Sequence, residues 1–169
     1  MRKIILYIAM SLDGYIAGSD HNLDWLFDND NYGYIPFYKS ISTTLMGNGT
    51  YRLVLSFGEF PYKDKENFVF TRNAAKQNDH NVSFISGDII DFVKKLKNRK
   101  DKDIWLIGGS EINTLFLKED LIDEMIISIH PVILGKGIPL FRDIGHSRQF
   151  EIINFKEYKS GLIQITYKR

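Results

Sequence analysis

Two adjacent glycines, Gly108 and Gly109, follow an apolar run at Ile104–Ile107 and precede a predicted helix that begins at Ser110. The apolar run lacks polar alternation, which is typical of a strand covered on both faces. A helix that starts where such a strand ends presents free backbone N–H groups and the positive end of its dipole, and both bind phosphate. Glycine has no Cβ, so a ligand can approach the main chain closely. The pattern therefore indicates a candidate phosphate site.

Two other predicted strands also end in small or polar residues. The segment Gly47–Thr50 follows the strand Thr43–Met46, and Arg72 follows the strand Asn67–Thr71. Carboxyl ends of parallel strands meet at one edge of a sheet, where α/β proteins bind ligands. A hydroxyl can donate to phosphate, and a guanidinium can bind a phosphate monoester through two N–H groups. Together these strand ends predict a dinucleotide phosphate site. The usual fingerprint Gly-x-Gly-x-x-Gly after the first strand is absent, which disfavours an ordinary Rossmann dehydrogenase.

The elements that would position these residues divide the chain into two parts. Strands and helices alternate over the first two-thirds, which predicts a largely parallel sheet, and short connections in the last third predict antiparallel pairing on the same sheet. The predicted strands are Ile4–Met10, Thr43–Met46, Asn67–Thr71, Val82–Ile85, Ile104–Ile107, Glu124–His130, Val132–Leu134, Gln149–Lys156 and Leu162–Tyr167. The predicted helices are Ile35–Ser42, one capped by Thr50, one capped by Asp88, and Ser110–Leu117, while Leu12–Asp30 is predicted as a loop. The predicted class is α/β.

Composition restricts the classes of function. The chain has 169 residues, and we expect a single domain over residues 1–169. A net charge of +1 gives no reason to expect nucleic acid or an acidic membrane surface as a partner, and no apolar stretch reaches transmembrane length. The absence of cysteine excludes disulfides and thiolate metal sites, and the four histidines show no metal-ligand spacing. We therefore expect a cytoplasmic protein without a metal.

Three motifs in order along the chain resemble those of the dihydrofolate reductase-like family. They are SLDGYIA at residues 11–17, GGSE at residues 108–111 and PVILGKGIPLF at residues 131–141. The resemblance is greatest to the branch related to the C-terminal reductase domain of the bifunctional riboflavin-biosynthesis deaminase–reductase, and it spans nearly the whole chain. It implies a three-layer sandwich and NADPH as the cofactor of a reductase.

The resemblance also implies which residues contact the cofactor. Carried onto this sequence, they are Ala9, Ala17 and Gly18 beside the nicotinamide, Gly47, Asn48 and Thr50 at the phosphates, Thr71, Arg72 and Ser86 around the adenosine 2′-phosphate, and Ile107, Gly108, Gly109, Ser110, Glu111 and Ile112 at the pyrophosphate. Family members often have a cis peptide bond between the two glycines. Asn48 stands where a basic residue is common, so a phosphate contact is weakened or moves to Arg72 or Arg52. This departure from the family pattern leaves both NADPH and NADH open as the preferred cofactor.

On the substrate side, the resemblance implies a carboxylate that assists protonation. Asp30 falls at the position of the carboxylate that binds the pterin ring, Trp25 at that of a pocket tryptophan, and Ser128 at that of the hydroxyl partner of the carboxylate. Such a carboxylate could deliver a proton to a C=N bond next to hydride transfer. In the alternative interpretation, Asp30 belongs to a polar loop that caps the following helix. Asp13 is a second polar group at the mouth of the site, unless it only fixes the Asp-Gly turn.

The predicted function is NADPH-dependent reduction of a small heterocyclic substrate or a C=N or C=O group by direct hydride transfer. Folate recognition requires a basic group for the glutamate tail, and the segment Tyr62–Glu66 has lysines but no arginine fork, which argues against folate. One alternative is reduction of the riboflavin-pathway substrate 5-amino-6-(5-phosphoribosylamino)uracil. Another is an NADP-binding regulatory protein without turnover. The resemblance further implies a homodimer, formed through the C-terminal strands.

Overall fold

The structure, a computed structural model, describes residues 1–76 and 78–169. Its strands are β1 (Ile4–Ser11), β2 (Tyr15–Ala17), β3 (Ile41–Gly47), β4 (Glu66–Phe70), β5 (Ser83–Ile85), β6 (Asp103–Gly108), β7 (Glu124–His130), β8 (Ile138–Pro139), β9 (Glu151–Glu157) and β10 (Ile163–Lys168). Its helices are α1 (Tyr34–Ser40), α2 (Asn48–Ser56), α3 (Ile89–Lys97) and α4 (Ser110–Lys118), and Ala74–Lys76 forms a short 3-10 helix. None of the described helices has the length and apolar character needed to cross a membrane.

Eight of the strands form one sheet in the order β5-β4-β3-β6-β1-β7-β10-β9, and β2 and β8 form a separate two-stranded ribbon. Neighbouring strands from β5 through to β7 are parallel, whereas β10 pairs antiparallel with both β7 and β9. The prediction of an α/β fold with a mixed, mostly parallel sheet and antiparallel C-terminal strands is confirmed.

Apolar side chains on both faces of the central strands place the helices in two outer layers. Ile4 and Leu6 of β1 are fully buried in the cluster that includes side chains of α3 and α4. Ile5 faces the other way and packs with Phe37 of α1, and Tyr51 of α2 belongs to the adjoining cluster on that face. Each such side chain contributes roughly 1.5–3 kcal/mol when fully buried. The sheet is therefore the middle of three layers, which explains why the sequence of β1 shows no alternation.

The helix predicted over Ile35–Ser42 is wrong at its C-terminal end. Helix α1 ends at Ser40, and Ile41 has extended backbone (φ −106°, ψ 155°). The side chain of Ile41 is fully buried, and its residue pairs with Asp103 of β6. The apolar spacing in the sequence shows only that Ile41 is buried. It does not distinguish the last turn of a helix from the first residue of a strand that follows it.

The strand predicted over Val132–Leu134 is also wrong, because this segment forms a loop. The carboxylate of Asp13 accepts hydrogen bonds from the backbone N–H groups of Leu134 and Gly135, at 3.1 and 2.8 Å. The Ser11 hydroxyl also donates to Asp13 at 2.6 Å, and this bond, followed by the two backbone bonds, lowers the pKa of Asp13. The backbone N–H groups of this loop therefore donate to the side chain of Asp13, whereas those of a strand would donate to a neighbouring strand. Asp13 thus holds the loop in place.

Part of the loop predicted over Leu12–Asp30 forms β2, which pairs with β8. The pairing requires a glycine next to β8. A Cβ placed on Gly137 would lie 2.2 Å from the backbone oxygen of Ala17. No side chain fits in that space, so Gly137 allows the ribbon to close.

Arg2 anchors the start of β1 although it carries a charge. The residue is only 4% exposed, and its guanidinium donates to the carbonyl of Lys102 at 2.5 Å, to Ser42 Oγ at 2.9 Å and to Thr43 Oγ1 at 2.5 Å. Burial lowers the pKa of Arg2, although neighbouring carboxylates oppose the shift. These bonds join the N-terminus to β3 and to the segment before β6.

Replacing Arg2 by methionine should lower the free energy of unfolding by about 1–3 kcal/mol, because buried oxygens lose their donor. The matched control is Lys3→Met, which removes the ion pair of the half-exposed Lys3 with Glu124 and should cost below about 1 kcal/mol. Urea unfolding followed by circular dichroism measures both. Equal decreases in the free energy of unfolding of the two variants would show that the buried hydrogen bonds of Arg2 stabilise the protein no more than the ion pair of Lys3 does.

Candidate functional site

A cavity of about 890 Å³ lies at the carboxyl edge of the sheet. Its wall contains Gly47–Thr50 at the start of α2, Thr71 and Arg72 after β4, and Gly109–Ile112 at the start of α4. The parallel sheet thus brings the three strand ends singled out in the sequence to one cavity. We call its polar side, formed by these three segments, the phosphate end.

Helices α2 and α4 both begin at the phosphate end without a side-chain cap. Their N-cap residues are Gly47 and Gly109, so no side chain accepts a hydrogen bond from the first backbone N–H groups. Two buried oxygens nearby, Oδ1 of Asn48 and Oγ of Ser110, have no hydrogen-bond partner among the described residues. A buried polar atom without a partner costs roughly 1–3 kcal/mol. A ligand with phosphates and hydroxyls would accept from the N–H groups and Ser110, and would donate to Asn48.

The glycines keep the phosphate end open. A Cβ on Gly109 would lie 3.1 Å from Oγ1 of Thr50, and a Cβ on Gly47 would lie 3.1 Å from Cγ1 of Ile112. Either contact is closer than ordinary van der Waals separation, so a side chain would occupy the space between the two helix starts. The peptide bond between Gly108 and Gly109 is cis, as the family resemblance implies.

Two arginines line the cavity, and their surroundings differ. Arg142 forms an ion pair with Glu111 at 2.9 Å. Arg72 is exposed at the end of β4, while Arg52 is exposed on α2 and is not part of the cavity wall. Among the described residues, no group of three or more acidic or histidine side chains is arranged to hold a metal ion. The two arginines of the wall, Arg72 and Arg142, carry guanidinium groups of the kind that bind phosphate.

A second part of the described cavity wall is apolar. It contains Ile16 of β2, Leu23 and Leu26 of the following loop, and three side chains on or just after α2, which are Leu53, Val54 and Phe57. His21 adds one imidazole ring to this wall. We call this part of the wall the apolar end.

Most of the predicted cofactor residues line the cavity, but several predicted site residues do not. Lining residues are Ala9, Ala17, Gly47, Asn48, Thr50, Thr71, Arg72, Ile107, Gly109, Ser110, Glu111 and Ile112. Predicted residues outside the wall are Asp13, Gly18, Trp25, Asp30, Ser86, Gly108 and Ser128. Gly108 is buried directly beside the wall, whereas Ser86 is exposed. Most of the predicted cofactor-binding residues thus lie around one cavity, whereas the predicted catalytic and substrate-binding residues do not.

Asp30 and Ser128 are not brought together. The Asp30 side chain is exposed, and its Oδ1 accepts a hydrogen bond from the backbone N–H of Asn31 at 2.6 Å. Ser128 is buried on β7, and its Oγ accepts from Nε2 of Gln164 at 2.9 Å. Gln164 also donates to the carbonyl of Tyr32, so Ser128 belongs to a separate polar group beside the sheet. The arrangement matches the alternative in which Asp30 is part of a surface loop.

Trp25 packs against a buried histidine instead of lining the cavity. Its ring lies edge-on to His130 with centroids 5.1 Å apart, and Phe27 contacts the same imidazole at 4.9 Å. Burial lowers the pKa of His130, although a hydrogen bond to the carbonyl of Ser128 opposes the shift. The imidazole is therefore neutral at neutral pH. These contacts attach the loop to β7 and leave Leu23 and Leu26 facing the cavity.

Sequence reasoning missed the apolar end. Leu53 and Phe57 are four residues apart, and their spacing on one helical face was the available signal. Phe57 is 71% exposed, which is unusual for so large an apolar side chain. His21 and Arg142 gave no signal, because their place in the wall depends on the course of two loops.

Residues 2–164 match the family model described as the RibD C-terminal domain. The uncharacterized protein YwjB of Bacillus subtilis (strain 168) is 40% identical over 173 residues, which cover 99% of this chain and 98% of YwjB. A putative riboflavin biosynthesis protein from Shewanella sp. PV-4 has a solved structure with a TM-score of 0.88 and 34% identity, covering 100% of this chain and 99% of that one.

Two more distant solved structures share the fold. One is a diaminohydroxyphosphoribosylaminopyrimidine deaminase/5-amino-6-(5-phosphoribosylamino)uracil reductase from Thermotoga maritima, with a TM-score of 0.76, 20% identity and coverage of 99% of this chain and 56% of that one. The other is dihydrofolate reductase from Enterococcus faecalis complexed with NADP(H) and RAB-propyl, with a TM-score of 0.74, 18% identity and coverage of 99% and 96%. The chain therefore belongs to the RibD C-terminal domain family and has a dihydrofolate reductase-like fold.

Proposed function

We propose that this protein is an NADPH-dependent reductase that acts by direct hydride transfer on a small heterocyclic substrate or a C=N or C=O group. The observation that carries the proposal is the phosphate end, where two helix starts without caps and Arg72 line one cavity. A dinucleotide offers a pyrophosphate to helix N-termini and a 2′-phosphate to an arginine. The names of relatives support it, since the Thermotoga protein is a reductase and the Enterococcus enzyme is complexed with NADP(H).

The protein residues would bind and orient both reactants, while the bound nicotinamide supplies the hydride. The start of α4 at Gly109–Ile112 would hold the pyrophosphate, and Asn48 and Thr50 would contact the adjacent phosphate and ribose groups. Ala9 and Ala17 line the wall on the side of β1, where small side chains leave room for a planar ring. The cavity would exclude water around the reacting atoms, which strengthens the interactions that position them.

Two alternatives remain as proposals. The family and the name of the Thermotoga enzyme favour 5-amino-6-(5-phosphoribosylamino)uracil as a substrate. The exposed position of Asp30 favours a protein that binds NADPH without turnover, because the predicted proton donor lies outside the cavity wall. Binding and turnover measurements separate these alternatives from the main proposal.

NADPH should bind the wild-type protein, and Arg72→Ala should weaken NADPH by roughly ten- to hundredfold, because a charge-assisted contact contributes about 1.5–3 kcal/mol. NADH lacks the 2′-phosphate, so its affinity should change little. Arg52→Ala is the matched control, since Arg52 is exposed outside the cavity wall. Nicotinamide fluorescence measures all affinities. Failure of both dinucleotides to bind the wild type would refute the proposed function, and equal losses for both would refute the role of Arg72.

Turnover should depend more on His21 than on Asp30, because His21 lines the cavity and Asp30 does not. An imidazole can act as a general acid, and a positioned acid contributes roughly a hundredfold or more to the rate. We expect His21→Asn to lower kcat/KM by about that factor and Asp30→Asn to have a smaller effect. Loss of NADPH absorbance with C=N and C=O compounds measures the rates, with the exposed His80→Asn as control. A larger loss for Asp30→Asn would restore the carboxylate as the donor.

We also propose that the protein forms a homodimer through β9. This strand ends the sheet, and Ile152, Ile153 and Phe155 on it are 61%, 49% and 56% exposed. An edge strand with exposed apolar side chains is a site for pairing with another chain. A second copy of this chain offers the same surface and would cover it by twofold symmetry.

The variant Phe155→Lys should shift the protein towards the monomer, because a charge would be buried against an apolar partner surface. Ile35→Lys is a matched control for the added surface charge, since Ile35 is an apolar side chain 52% exposed on α1. Sedimentation equilibrium measures the mass. A monomeric wild type would refute the dimer, and an unchanged dimer in Phe155→Lys would place the interface elsewhere.

A further inference from the structure

We propose that the substrate of this site is a planar, uncharged molecule that carries neither a phosphate nor a carboxylate at the apolar end. The inference rests on the proposed function and narrows its substrate class. It is carried by the composition of the described cavity wall: the residues of the phosphate end fit a dinucleotide, and the described residues of the apolar end include no arginine or lysine.

The apolar end is built from two independent segments. Leu23 and Leu26 come from the loop after β2, while Leu53, Val54 and Phe57 come from α2 and the residue that follows it. Together with Ile16 of β2, these side chains form an apolar surface against which a bound ring can pack. Burial of a planar apolar ligand against them is favourable by roughly 25 cal/mol per Å². Burial of an ionised group there, without a partner, costs several kcal/mol or more.

The described cationic side chains of the cavity wall are already committed. Arg142 is paired with Glu111 at 2.9 Å. Arg72 lies at the end of β4, where the proposed function uses it for the cofactor. The described wall contains no lysine. A substrate phosphate would therefore have no cation at the apolar end.

The loop part of the apolar end is anchored to the main sheet. The loop that carries Leu23 and Leu26 is attached to β7 through the rings of Trp25 and Phe27, which both contact His130. A neutral, buried imidazole between two aromatic rings holds that loop in place. Packing on β7 thus holds Leu23 and Leu26 in place in the cavity wall. His21 provides a single polar contact, suited to a carbonyl oxygen or a ring nitrogen.

These observations oppose two charged substrates. A phosphoribosyl compound, as named for the Thermotoga enzyme, requires a cation for its phosphate. A folate carries the carboxylates of its glutamate tail and needs an arginine or lysine there. A neutral heteroaromatic carbonyl or imine fits both features, since its ring can pack on the apolar wall and its oxygen or nitrogen can form a hydrogen bond with His21.

The test compares two ligands of similar shape, 2-naphthaldehyde and 6-formyl-2-naphthoate, by isothermal titration into protein saturated with NADP⁺ in one buffer. The neutral aldehyde should bind about tenfold more tightly or better, because the carboxylate loses hydration without gaining a partner. Leu53→Arg should reverse this order by providing a cation in the wall. Leu55→Arg is the matched control, since Leu55 is 38% exposed on the same helix and does not line the cavity.

Each outcome bears on one proposal. Equal or tighter binding of the naphthoate to the wild type would overturn the inference, as would binding of neither aldehyde while NADP⁺ binds. Loss of NADP⁺ binding itself would refute the proposed function. Should Leu53→Arg fail to fold, Val54→Lys provides the same charge in the same wall, and the wild-type comparison decides independently of both variants. Turnover of 5-amino-6-(5-phosphoribosylamino)uracil in preference to its dephosphorylated form would also overturn the inference.

Discussion

Parallel pairing of β3, β6 and β1 is the constraint on which the site depends. Met46 of β3 lies opposite Gly108 of β6, so these strands end side by side and their following helices begin side by side. Hydrogen bonding between the strands therefore determines the distance between two sets of helix N–H groups. The bond network of Arg2 and the buried side chains on both faces of β1 stabilise that pairing far from the cavity. Stability and ligand geometry thus come from the same sheet.

The phosphate end could be predicted from sequence because its signals are local. A buried strand, a glycine pair and a helix start are adjacent in the chain, and parallel pairing then aligns such units without further information. The same logic located Arg72 after β4. The fold class followed from the order of elements and their connection lengths, and the family resemblance agreed with it.

The substrate side could not be predicted in the same way, because tertiary contacts decide where its loop residues point. Trp25 and Phe27 contact His130, which is more than one hundred residues away in the chain, and these contacts attach the loop that carries Leu23 and Leu26. Asp13 shows the same limit, since its role in holding a loop depends on Leu134 and Gly135. The end of α1 was misplaced for a related reason, because burial of Ile41 is compatible with helix and strand alike.

The ribbon of β2 and β8 has a consequence for the kinetics of ligand exchange. Ile16, Ala17 and Ile138 of this ribbon form part of the cavity wall, yet its two strands pair only with each other. Its displacement breaks no ladder bond of the eight-stranded sheet, so opening here requires only a fraction of the global unfolding free energy. We therefore expect the ribbon to influence the residence time of a bound ligand more than it influences the stability of the main sheet.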